Sequence, residues 1–315
     1  MENSDKNNKK RGKRNGHKTV NKVISLVGDN PAGIKSKWIT WEKLVSDSNA
    51  SIWFLQETKC QGKKLKMENF YIYEKVRKDG NGGGVAIAAV KEMNPAFISE
   101  GDDGIEAITI DIHAKDLVIA CSSAYGPQAK APAELKKKFW DYLDTEVDRA
   151  KNNGKGFILQ GDLNARLGPD FIKNDPNPIN ENGKYFKSFL ERHPHLTVVN
   201  SLNICEGSVT RSRKLVTGVL EESIIDFYVV CDKVLQIVTK MTVENQHILT
   251  NYFNKEAKSS DHSPVTLQLN LKMDPFKHDR VNIFDLKIKN SWNNLNLTLP
   301  THQNLQSVLL VILQW

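Results

Sequence analysis

The amino-acid sequence predicts an α/β protein in which two β-sheets pack face to face between outer helices, a four-layer α/β/β/α sandwich. The first observation is that short apolar runs, many of them rich in Val and Ile, recur along residues 20–271 between turn-rich stretches. The second is that helical periodicity appears in three segments of the same region. Two sheets covered by helices accommodate these elements, and 315 residues are enough to bury such a core.

The strands are predicted where apolar and β-branched residues cluster between turn residues. Before one strand, Gly82-Gly83-Gly84 follows Asp79-Gly80-Asn81, which indicates a hairpin turn. The glycines lack the Lys-Ser/Thr pair of a phosphate-binding P-loop, which disfavours that alternative. In chain order the predicted strands are Val23–Val27, Ser51–Leu55, Phe70–Glu74, Gly84–Ala89, Ala107–Ile112, Leu117–Ser123, Gly156–Gln160, Val198–Asn200, Ser223–Val230 and Val265–Leu271.

Three helices are predicted from apolar residues spaced three and four apart, as on a helix with one buried face. They span Lys35–Ser46, Pro132–Lys151 and Lys184–Arg192. Pro132 suits the first turn of a helix, because its missing N–H would have no partner there. The periodic residues are Trp38, Trp41, Leu44 and Val45 in the first helix and Leu135, Phe139, Leu143 and Val147 in the second.

Both ends of the chain differ in composition from the domain predicted at residues 20–271. Residues 1–19 contain seven Lys or Arg against two acidic residues, and so carry +5 of the formal net charge of +7. This basic, Asn-rich arm is predicted to be disordered, and either contacts nucleic-acid phosphates, acts as a nuclear address or has no specific role. Residues 272–315 form a polar tail with an apolar run at 308–313, which either docks on the domain or is an incidental or truncated end.

The cysteines and the apolar runs bound the location of the protein. Cys60, Cys121, Cys205 and Cys231 follow no paired or metal-ligand spacing, which predicts reduced thiols in an intracellular protein and argues against zinc. No apolar run reaches the ~18 residues of a membrane span, and the N-terminus lacks the apolar core of a signal peptide. We expect an intracellular protein without a membrane partner. It would be nuclear if the basic arm acts as a nuclear targeting signal.

Polar groups stand at the ends of several predicted strands. The most informative are Asp162 and Asn164, a carboxylate and an amide that leave a strand end two residues apart. Each residue alone would suit a turn or a cap, but strand ends on one rim of a sandwich can converge, so their joint occurrence predicts a site. The full set is Asn30, Glu57, Asp162, Asn164, Asp226, Asp261 and His262.

This set suits hydrolysis of a phosphodiester with a hard divalent cation, which prefers carboxylate oxygens and takes substrate phosphate as a further ligand. Glu57 is the natural metal anchor. Asp226 would orient the imidazole of His262 and fix its tautomer, and Asp162 would position or deprotonate the attacking water. Tyr125, in Tyr-Gly-Pro after a strand, would donate its phenol to the phosphate, unless it anchors a Gly-Pro turn.

Five short motifs resemble, in this order, those of the endonuclease/exonuclease/phosphatase superfamily. Their wording is most similar to the apurinic-like endonuclease of non-LTR (LINE-type) retrotransposons. The match covers residues 20–271 and is specific, because the motifs agree in order and spacing. They are Leu55-Gln56-Glu57-Thr58-Lys59, Tyr125-Gly126-Pro127, Gly161-Asp162-Leu163-Asn164-Ala165-Arg166, Ser223-Ile224-Ile225-Asp226-Phe227 and Ser260-Asp261-His262-Ser263-Pro264.

The resemblance implies a four-layer α/β/β/α sandwich of the endonuclease/exonuclease/phosphatase type. It also implies dependence on Mg²⁺, with Mn²⁺ as an alternative, no small-molecule cofactor beyond the metal, and cleavage of phosphodiester bonds in DNA. The site roles that it implies are metal binding for Glu57, Asn30 and Asp261, phosphate positioning for Tyr125 and Asn164, water activation for Asp162, and support of His262 by Asp226.

The first motif departs from the pattern of that superfamily, in which a strand runs straight into Asn-x-Asn/Asp-Gly-Leu/Ile. Here Val27-Gly28-Asp29 look inserted before Asn30. Ala32 supplies no amide or carboxylate, and Pro31 removes a backbone donor. We expect Asn30 in the metal site, because Gly-Ile follows it in the frame of the superfamily. The alternative is a displaced corner in which Asp29 takes its place.

Three functions remain open at this point. The leading prediction is a Mg²⁺-dependent DNA endonuclease that makes the nick priming insertion of a LINE-type element. The second is a phosphoesterase of the same fold that acts on phosphoinositides, nucleotides or another phosphoester, since fold does not decide substrate. The third is a catalytically inactive nucleic-acid-binding module, suggested by the altered first motif.

Overall fold

The computed structural model describes residues 20–34, 38–60, 65–77, 82–244 and 260–273. These residues form the predicted four-layer α/β/β/α sandwich, in which two mixed sheets pack face to face and helices cover their outer faces. The basic arm, the tail beyond Met273 and residues 35–37 of the first predicted helix lie outside the described residues. None of the described helices is long and apolar enough to cross a membrane.

The first sheet has its central parallel pair in β1 and β2, and β15 runs antiparallel beside β1. The ends of β1 and β2 and the start of β15 therefore lie at the same rim of the sheet. From edge to edge, the order is β10 (Cys205–Glu206), β14 (Val238–Val243), β15 (Val265–Met273), β1 (Val20–Asp29), β2 (Ala50–Gln56), β4 (Val85–Val90) and β3 (Phe70–Lys75).

The second sheet repeats this arrangement, because β7 and β8 are parallel and β13 runs antiparallel beside β8. Asp162, the last residue of β8, is paired with Tyr125 on one side and Asp226 on the other. The order is β5 (Ala96–Glu100), β6 (Glu106–His113), β7 (Val118–Tyr125), β8 (Gly156–Asp162), β13 (Asp226–Cys231) and β9 (Leu196–Val198), and a separate hairpin is formed by β11 (Arg211–Lys214) and β12 (Leu220–Ser223).

Aromatic side chains attach the helices to the sheets. On the first sheet, the Trp41 ring of α1 (Trp38–Asp47) meets Trp53 edge-on at 5.8 Å between centroids. On the second, Trp140 of α2 (Ala133–Asn152) stacks at 5.3 Å on Phe186 of α3 (Glu181–Arg192). Each fully buried aromatic side chain contributes about 1.5–3 kcal/mol relative to an exposed one. A short α4 (Asp232–Leu235) follows β13.

One predicted strand, Ser223–Val230, is broken in the structure. β12 ends at Ser223 and β13 begins at Asp226. The hydroxyl of Thr210 accepts hydrogen bonds from the backbone N–H of Ile225 at 2.9 Å and of Asp226 at 3.1 Å. Because these N–H groups are taken by a side chain, the strand ladder cannot run through them. Asp226 therefore starts a strand at the rim instead of lying inside one.

The strand predicted at Val198–Asn200 was also misplaced, because β9 ends at Val198 and a 3-10 turn follows at Val199–Ser201. In that turn the Asn200 side chain donates to the Asp226 carbonyl at 3.0 Å and accepts from the Tyr228 N–H at 3.1 Å. The amide thus replaces a strand neighbour beside Asp226. Five strands were not predicted, β5, β10, β11, β12 and β14, since they are short, charged or only half-buried.

The hairpin between β3 and β4 is confirmed, since the two strands pair antiparallel. Gly82, Gly83 and Gly84 precede β4 with φ values of 97°, 67° and 89°, the left-handed region that favours glycine. α1, α2 and α3 correspond to the three predicted helices. The third begins earlier than predicted, because the Asn180 side chain caps it by accepting from the Gly183 N–H at 2.7 Å.

Glu74 on β3 gives a pH-dependent prediction for stability. Burial raises the pKa of Glu74 from 4.5 to about 7, although the Cys60 thiol acts to lower it. As pH rises, the carboxyl group of Glu74 loses its proton at lower pH in the unfolded chain than in the folded one. The stability that protonated Glu74 contributes is therefore lost as pH rises from 4.5 to about 7. We expect the melting temperature of Glu74→Gln to exceed that of the wild type by more at pH 8 than at pH 4.5. A difference that is equal at both pH values would contradict this.

Candidate active site

One rim of the sandwich collects side chains from both sheets. In the first sheet, β1 and β2 end at this rim and β15 starts there. β7 and β8 end there, and β13 begins there, in the second. The structure thereby brings together the predicted residues Asn30, Glu57, Tyr125, Asp162, Asn164, Asp226 and His262, with Asp261 beside them.

Asn30 links the two halves of the rim. Its Nδ2 donates to Asp162 Oδ2 at 3.0 Å and approaches Glu57 Oε1 at 3.4 Å, while its Oδ1 accepts from the Ala32 N–H at 3.1 Å. The residues that look inserted in the sequence belong to β1, which continues to Asp29. Gly28 faces the second sheet, so the next side chain, Asp29, points to the opposite face. Asn30 therefore occupies the corner, and Asp29 does not.

Glu57 follows β2 with a left-handed φ of 46°, a conformation that non-glycine residues seldom adopt. Its Oε1 accepts from the Tyr125 hydroxyl at 2.8 Å, and its Oε2 lies 2.9 Å from the Lys59 ammonium. Burial acts to raise the pKa of Glu57, but the bonds from Lys59, Tyr125 and Asn30 outweigh it and hold the pKa below its usual value. Glu57 is thus ionised and suited to a cation.

The phenol of Tyr125 stays protonated beside these carboxylates. Burial raises the pKa of Tyr125, and the negative charges of Glu57 and Asp162 raise it further. Tyr125 lies at the rim because it ends β7 opposite Asp162, and the two strands approach closely there, since a Cβ atom at Gly161 would lie 2.0 Å from the Ala124 carbonyl oxygen. The glycine of the Gly-Asp-Leu-Asn motif is therefore required by packing.

Asp162 and Asn164 are held by the turn that follows β8. Oδ1 of Asp162 accepts from the Asn164 N–H at 3.1 Å, and its side chain is only 2% exposed. The Asn164 amide donates to the Gly126 carbonyl at 2.9 Å, which ties it to the loop after β7. Burial raises the pKa of Asp162. The negative charge of Asp226 also raises the pKa of Asp162, while the positive charge of His262 lowers it.

His262 is enclosed by carboxylates. Its Nδ1 lies 3.0 and 3.1 Å from the two oxygens of Asp226, and its Nε2 faces Asp162 Oδ2 at 3.6 Å. Asp261 Oδ1 lies 3.9 Å from the same Nε2. Burial acts to lower the pKa of His262, but the three carboxylates raise it above its usual value. The side chain is therefore an oriented imidazolium whose Nε2–H points toward Asp162.

Asp261 is placed differently from the other predicted metal ligands. Its Oδ2 accepts from Arg211 Nε at 2.9 Å, and its side chain is 33% exposed. Among the described residues its side-chain contacts are with Arg211 and His262, whereas Asn30 and Glu57 contact each other. The role of Asp261 that the structure shows is to tie the hairpin of β11 and β12 to the rim.

The side chains of the rim fit a hard divalent cation. Ligand atoms of Asp162, Asp226 and His262 lie within 4.8 Å of one another, and carboxylate and amide oxygens are the donors that Mg²⁺ and Mn²⁺ take. An imidazolium bonded to Asp226 cannot serve as a ligand until it loses a proton. Glu57 is therefore the better donor, and Asn30, whose Nδ2 now faces Glu57 and Asp162, would join it by turning its amide to present Oδ1.

Several supporting residues were not singled out from the sequence. Ser260 accepts from the His262 N–H at 3.1 Å and donates to the Asn30 carbonyl, and so joins the first and last motifs. In the sequence, these supporting residues are marked only by being polar and lying in or beside a motif or the end of a strand or helix. The supporting residues are Lys59, Asn200, Thr210, Arg211 and Ser260.

Fold and site together define the class of protein. It is a four-layer α/β/β/α sandwich that presents buried carboxylates, an amide, a phenol and an imidazolium at converging strand ends.

Comparison with known proteins supports this fold. No family model and no curated protein matches the chain. Similar solved structures include the APE2 catalytic domain of Xenopus laevis, with a TM-score of 0.58 at 17% identity over 81% of this chain and 94% of that one. The AP endonuclease LMAP of Leishmania major has a TM-score of 0.61 at 14% identity over 79% and 88%. The endonuclease domain of TRAS1, a telomere-specific non-LTR retrotransposon, has a TM-score of 0.53 at 15% identity over 78% and 98%.

At these identities the likeness shows the fold, which is that of the endonuclease/exonuclease/phosphatase superfamily. AP endonucleases and the retrotransposon enzyme are matched alike. The comparisons therefore do not favour a retrotransposon origin for this chain.

Proposed function

We propose that this chain is a Mg²⁺-dependent phosphodiester hydrolase that nicks DNA. The observation that carries the proposal is the convergence of an ionised Glu57, a buried Asp162 and an Asp226–His262 pair on one rim, at contacts of 3.0 to 3.6 Å through Asn30 and His262. A nucleic-acid substrate is supported by the similar solved structures that are named as endonucleases.

Each side chain has a role in displacement at phosphorus. Asp162 would take the proton of the attacking water through Oδ2, the oxygen that faces His262 Nε2 and Asn30, while Oδ1 accepts from the Asn164 N–H. His262 would place its Nε2–H against the negative phosphoryl oxygens, and Asp226 would keep the imidazolium charged and oriented. Asn164 would donate the second hydrogen of its amide to the phosphate, and Tyr125 would donate its hydroxyl after turning from Glu57. A divalent cation held by Glu57, and by Oδ1 of Asn30 once that amide turns, would supply Lewis-acid stabilisation of the phosphate charge.

DNA is favoured over a small phosphoester by the hairpin of β11 and β12. Arg211 pairs with Asp261 at 2.9 Å at the rim, and Arg213 and Lys214 continue along the same strand. Arg166, from the Asp-Leu-Asn-Ala-Arg motif, shares Glu221 with Arg213 at 3.4 and 2.7 Å. Arg211, Arg213 and Arg166 pair with Asp261 and Glu221 here, and with Lys214 they are the groups of this region that would contact the phosphates of a polymeric backbone.

Nicking that primes insertion of a LINE-type element is the more specific form of the proposal. Its support is the resemblance of the Gln-Glu-Thr-Lys and Asp-Leu-Asn-Ala-Arg motifs and the inclusion of the TRAS1 endonuclease among the similar structures. The basic arm at residues 1–19 would add phosphate contacts, and a nuclear location would follow from this substrate.

The test is nicking of supercoiled plasmid by the purified protein with Mg²⁺, with Mn²⁺ and with EDTA. Nicking that requires the metal and is lost in Asp162→Asn supports the proposal. Hydrolysis of inositol phosphates or nucleotides without nicking would replace it by a phosphoesterase of the same fold. Binding of DNA by a folded protein that hydrolyses neither would show an inactive nucleic-acid-binding module.

Charge removal on the hairpin is expected to weaken DNA binding without removing the chemistry. Arg213→Ser/Lys214→Ser should reduce the slope of log affinity against log salt by about 0.9 for each phosphate that the protein no longer neutralises. The rate at saturating DNA should stay within a few fold, because neither residue contacts Asp162 or His262. The matched control, Lys137→Ser/Lys138→Ser, removes the same charge from the exposed face of α2. Equal effects of the two double variants would refute a hairpin-specific contact.

A further inference from the structure

We infer that four buried polar residues on the inner faces of the sheets set the spacing between the two halves of the active site. We call Gln56, Ser123, Gln160 and Tyr228 the interior clamp. The inference rests on the proposed function, which requires the rim residues of both sheets to act on one phosphate. It concerns residues that position the reacting groups without touching the substrate.

Hydrogen bonds of the interior clamp cross from one sheet to the other. Gln56 Nε2, on the first sheet, donates to Gln160 Oε1 at 2.8 Å and to Ser123 Oγ at 3.1 Å, both on the second. Ser123 Oγ donates in return to the Leu55 carbonyl at 3.3 Å. Tyr228, also on the second sheet, donates its hydroxyl to the Leu26 carbonyl of β1 at 2.9 Å.

Each clamp residue lies one or two positions along the chain from a site residue. Gln56 immediately precedes Glu57. Alternate residues of a strand point to the same face, so Ser123 shares its face with Tyr125, Gln160 with Asp162, and Tyr228 with Asp226. The clamp is therefore a polar layer directly beneath the rim.

β1, which leads to Asn30, is included in this layer. A Cβ atom at Gly28 would lie 2.0 Å from Gln160 Nε2, so the Gln160 amide packs directly on the backbone of β1. The Tyr228 hydroxyl bonds to the same strand two residues earlier, at Leu26. The strands that lead to Asn30, Glu57 and Asp162 therefore all meet the clamp.

The surroundings of the clamp are apolar, and all four side chains are 0% exposed. Apolar side chains of similar volume would avoid the cost of burying amides and a phenol. Dispersion contacts between apolar side chains tolerate small sliding of the sheets, whereas hydrogen bonds fix distance and direction. Hydrogen bonds that cross between the sheets here therefore provide a fixed spacing.

The site depends on that spacing because its own contacts also cross between the sheets. Asn30 reaches Asp162 at 3.0 Å, and Tyr125 reaches Glu57 at 2.8 Å. A displacement of about 1 Å in reacting groups can cost about 10²-fold in rate. Disruption of the clamp should therefore lower the rate and the metal affinity together, while contacts of the DNA with the outer surface persist.

The experiment compares Gln160→Met, Gln56→Met and Tyr228→Phe with the wild type in the full-length protein. Tyr228→Phe removes one hydroxyl and keeps the ring, which packs edge-on against Phe54 at 6.0 Å between centroids. For each variant we would measure kcat and KM for plasmid nicking, Mn²⁺ affinity by electron paramagnetic resonance, and the melting temperature. We expect kcat to fall about tenfold or more with KM within a few fold, and Mn²⁺ affinity to weaken.

The matched control is Ile158→Val, on the same strand and face as Gln160 but two residues further from the rim. It should lower the melting temperature without changing kcat per folded molecule or Mn²⁺ affinity. The double variant Gln56→Met/Gln160→Met should be no slower than the worse single variant, since both lose the same bond.

Clamp variants with wild-type kcat and Mn²⁺ affinity, or a control that loses as much as they do, would overturn the inference and leave the proposed function intact. A wild-type protein that neither binds Mn²⁺ nor cleaves would overturn the proposed function, and the inference with it.

Discussion

Asp162→Asn is expected to reduce the nicking rate at saturating DNA by about 10²- to 10⁴-fold, the contribution of a well-placed general base. The amide cannot accept the proton of the attacking water. Its single oxygen can also serve only one of the two donors that the carboxylate now satisfies, the Asn164 N–H at 3.1 Å and Asn30 Nδ2 at 3.0 Å. DNA affinity should stay within a few fold, because the carboxylate acts mainly in the transition state.

Asp175→Asn is the matched control for this variant. Asp175 is also buried, and its two oxygens accept from the N–H groups of Gly168 at 3.1 Å and Asn177 at 3.0 Å, outside the candidate site. Its replacement should lower the melting temperature and leave the rate of the folded protein unchanged. Nicking by Asp162→Asn at the wild-type rate, measured in Mg²⁺ with saturating plasmid, would remove Asp162 from the mechanism.

His262→Ala is expected to lower the rate by about 10²- to 10³-fold, the usual cost of losing one group that stabilises charge in the transition state. Asp226→Asn should also lower the rate substantially, since Asp226 acts through the ring by holding Nδ1–H at 3.0 Å. The double variant should be no slower than His262→Ala alone, because Asp226 has no imidazole left to orient. Single-turnover rates with saturating DNA would measure all three.

A second buried histidine offers a matched control. His193, which follows the last residue of α3, is 6% exposed. Its Nε2 lies 2.8 Å from Oδ1 of Asp144, a residue of α2. His193→Ala should destabilise the protein and keep the rate per folded molecule. If the effects of His262→Ala and Asp226→Asn instead added in the double variant, Asp226 would have to act independently of the ring.

The predicted strands were correct where apolar residues form runs or alternate with polar ones between turn residues, as in β2, β8 and β15. Prediction failed where side chains replace strand partners. Thr210 breaks the ladder before Asp226, and Asn200 stands in for a strand neighbour after β9. Those bonds join residues distant in sequence, so no local pattern announces them.

The first motif is less irregular in the structure than the sequence indicated. Val27-Gly28-Asp29 looked like an insertion because strand ends are poorly marked by composition, but β1 extends through these residues and delivers Asn30 to the rim. The predicted role of Asp261 as a metal-site carboxylate stays a prediction, and its contacts in the structure are with Arg211 and His262.

The sequence by itself determined the residue types of the site, their positions at strand ends and the four-layer sandwich that carries them. These follow from local information, because strand periodicity and turn residues act over a few positions. Only the tertiary structure decided which groups touch. Asn30 and Asp162 are 132 residues apart, and Gln56 and Gln160 are 104 apart. Their contacts arise when two sheets pack, and the register of that packing is set by the whole core.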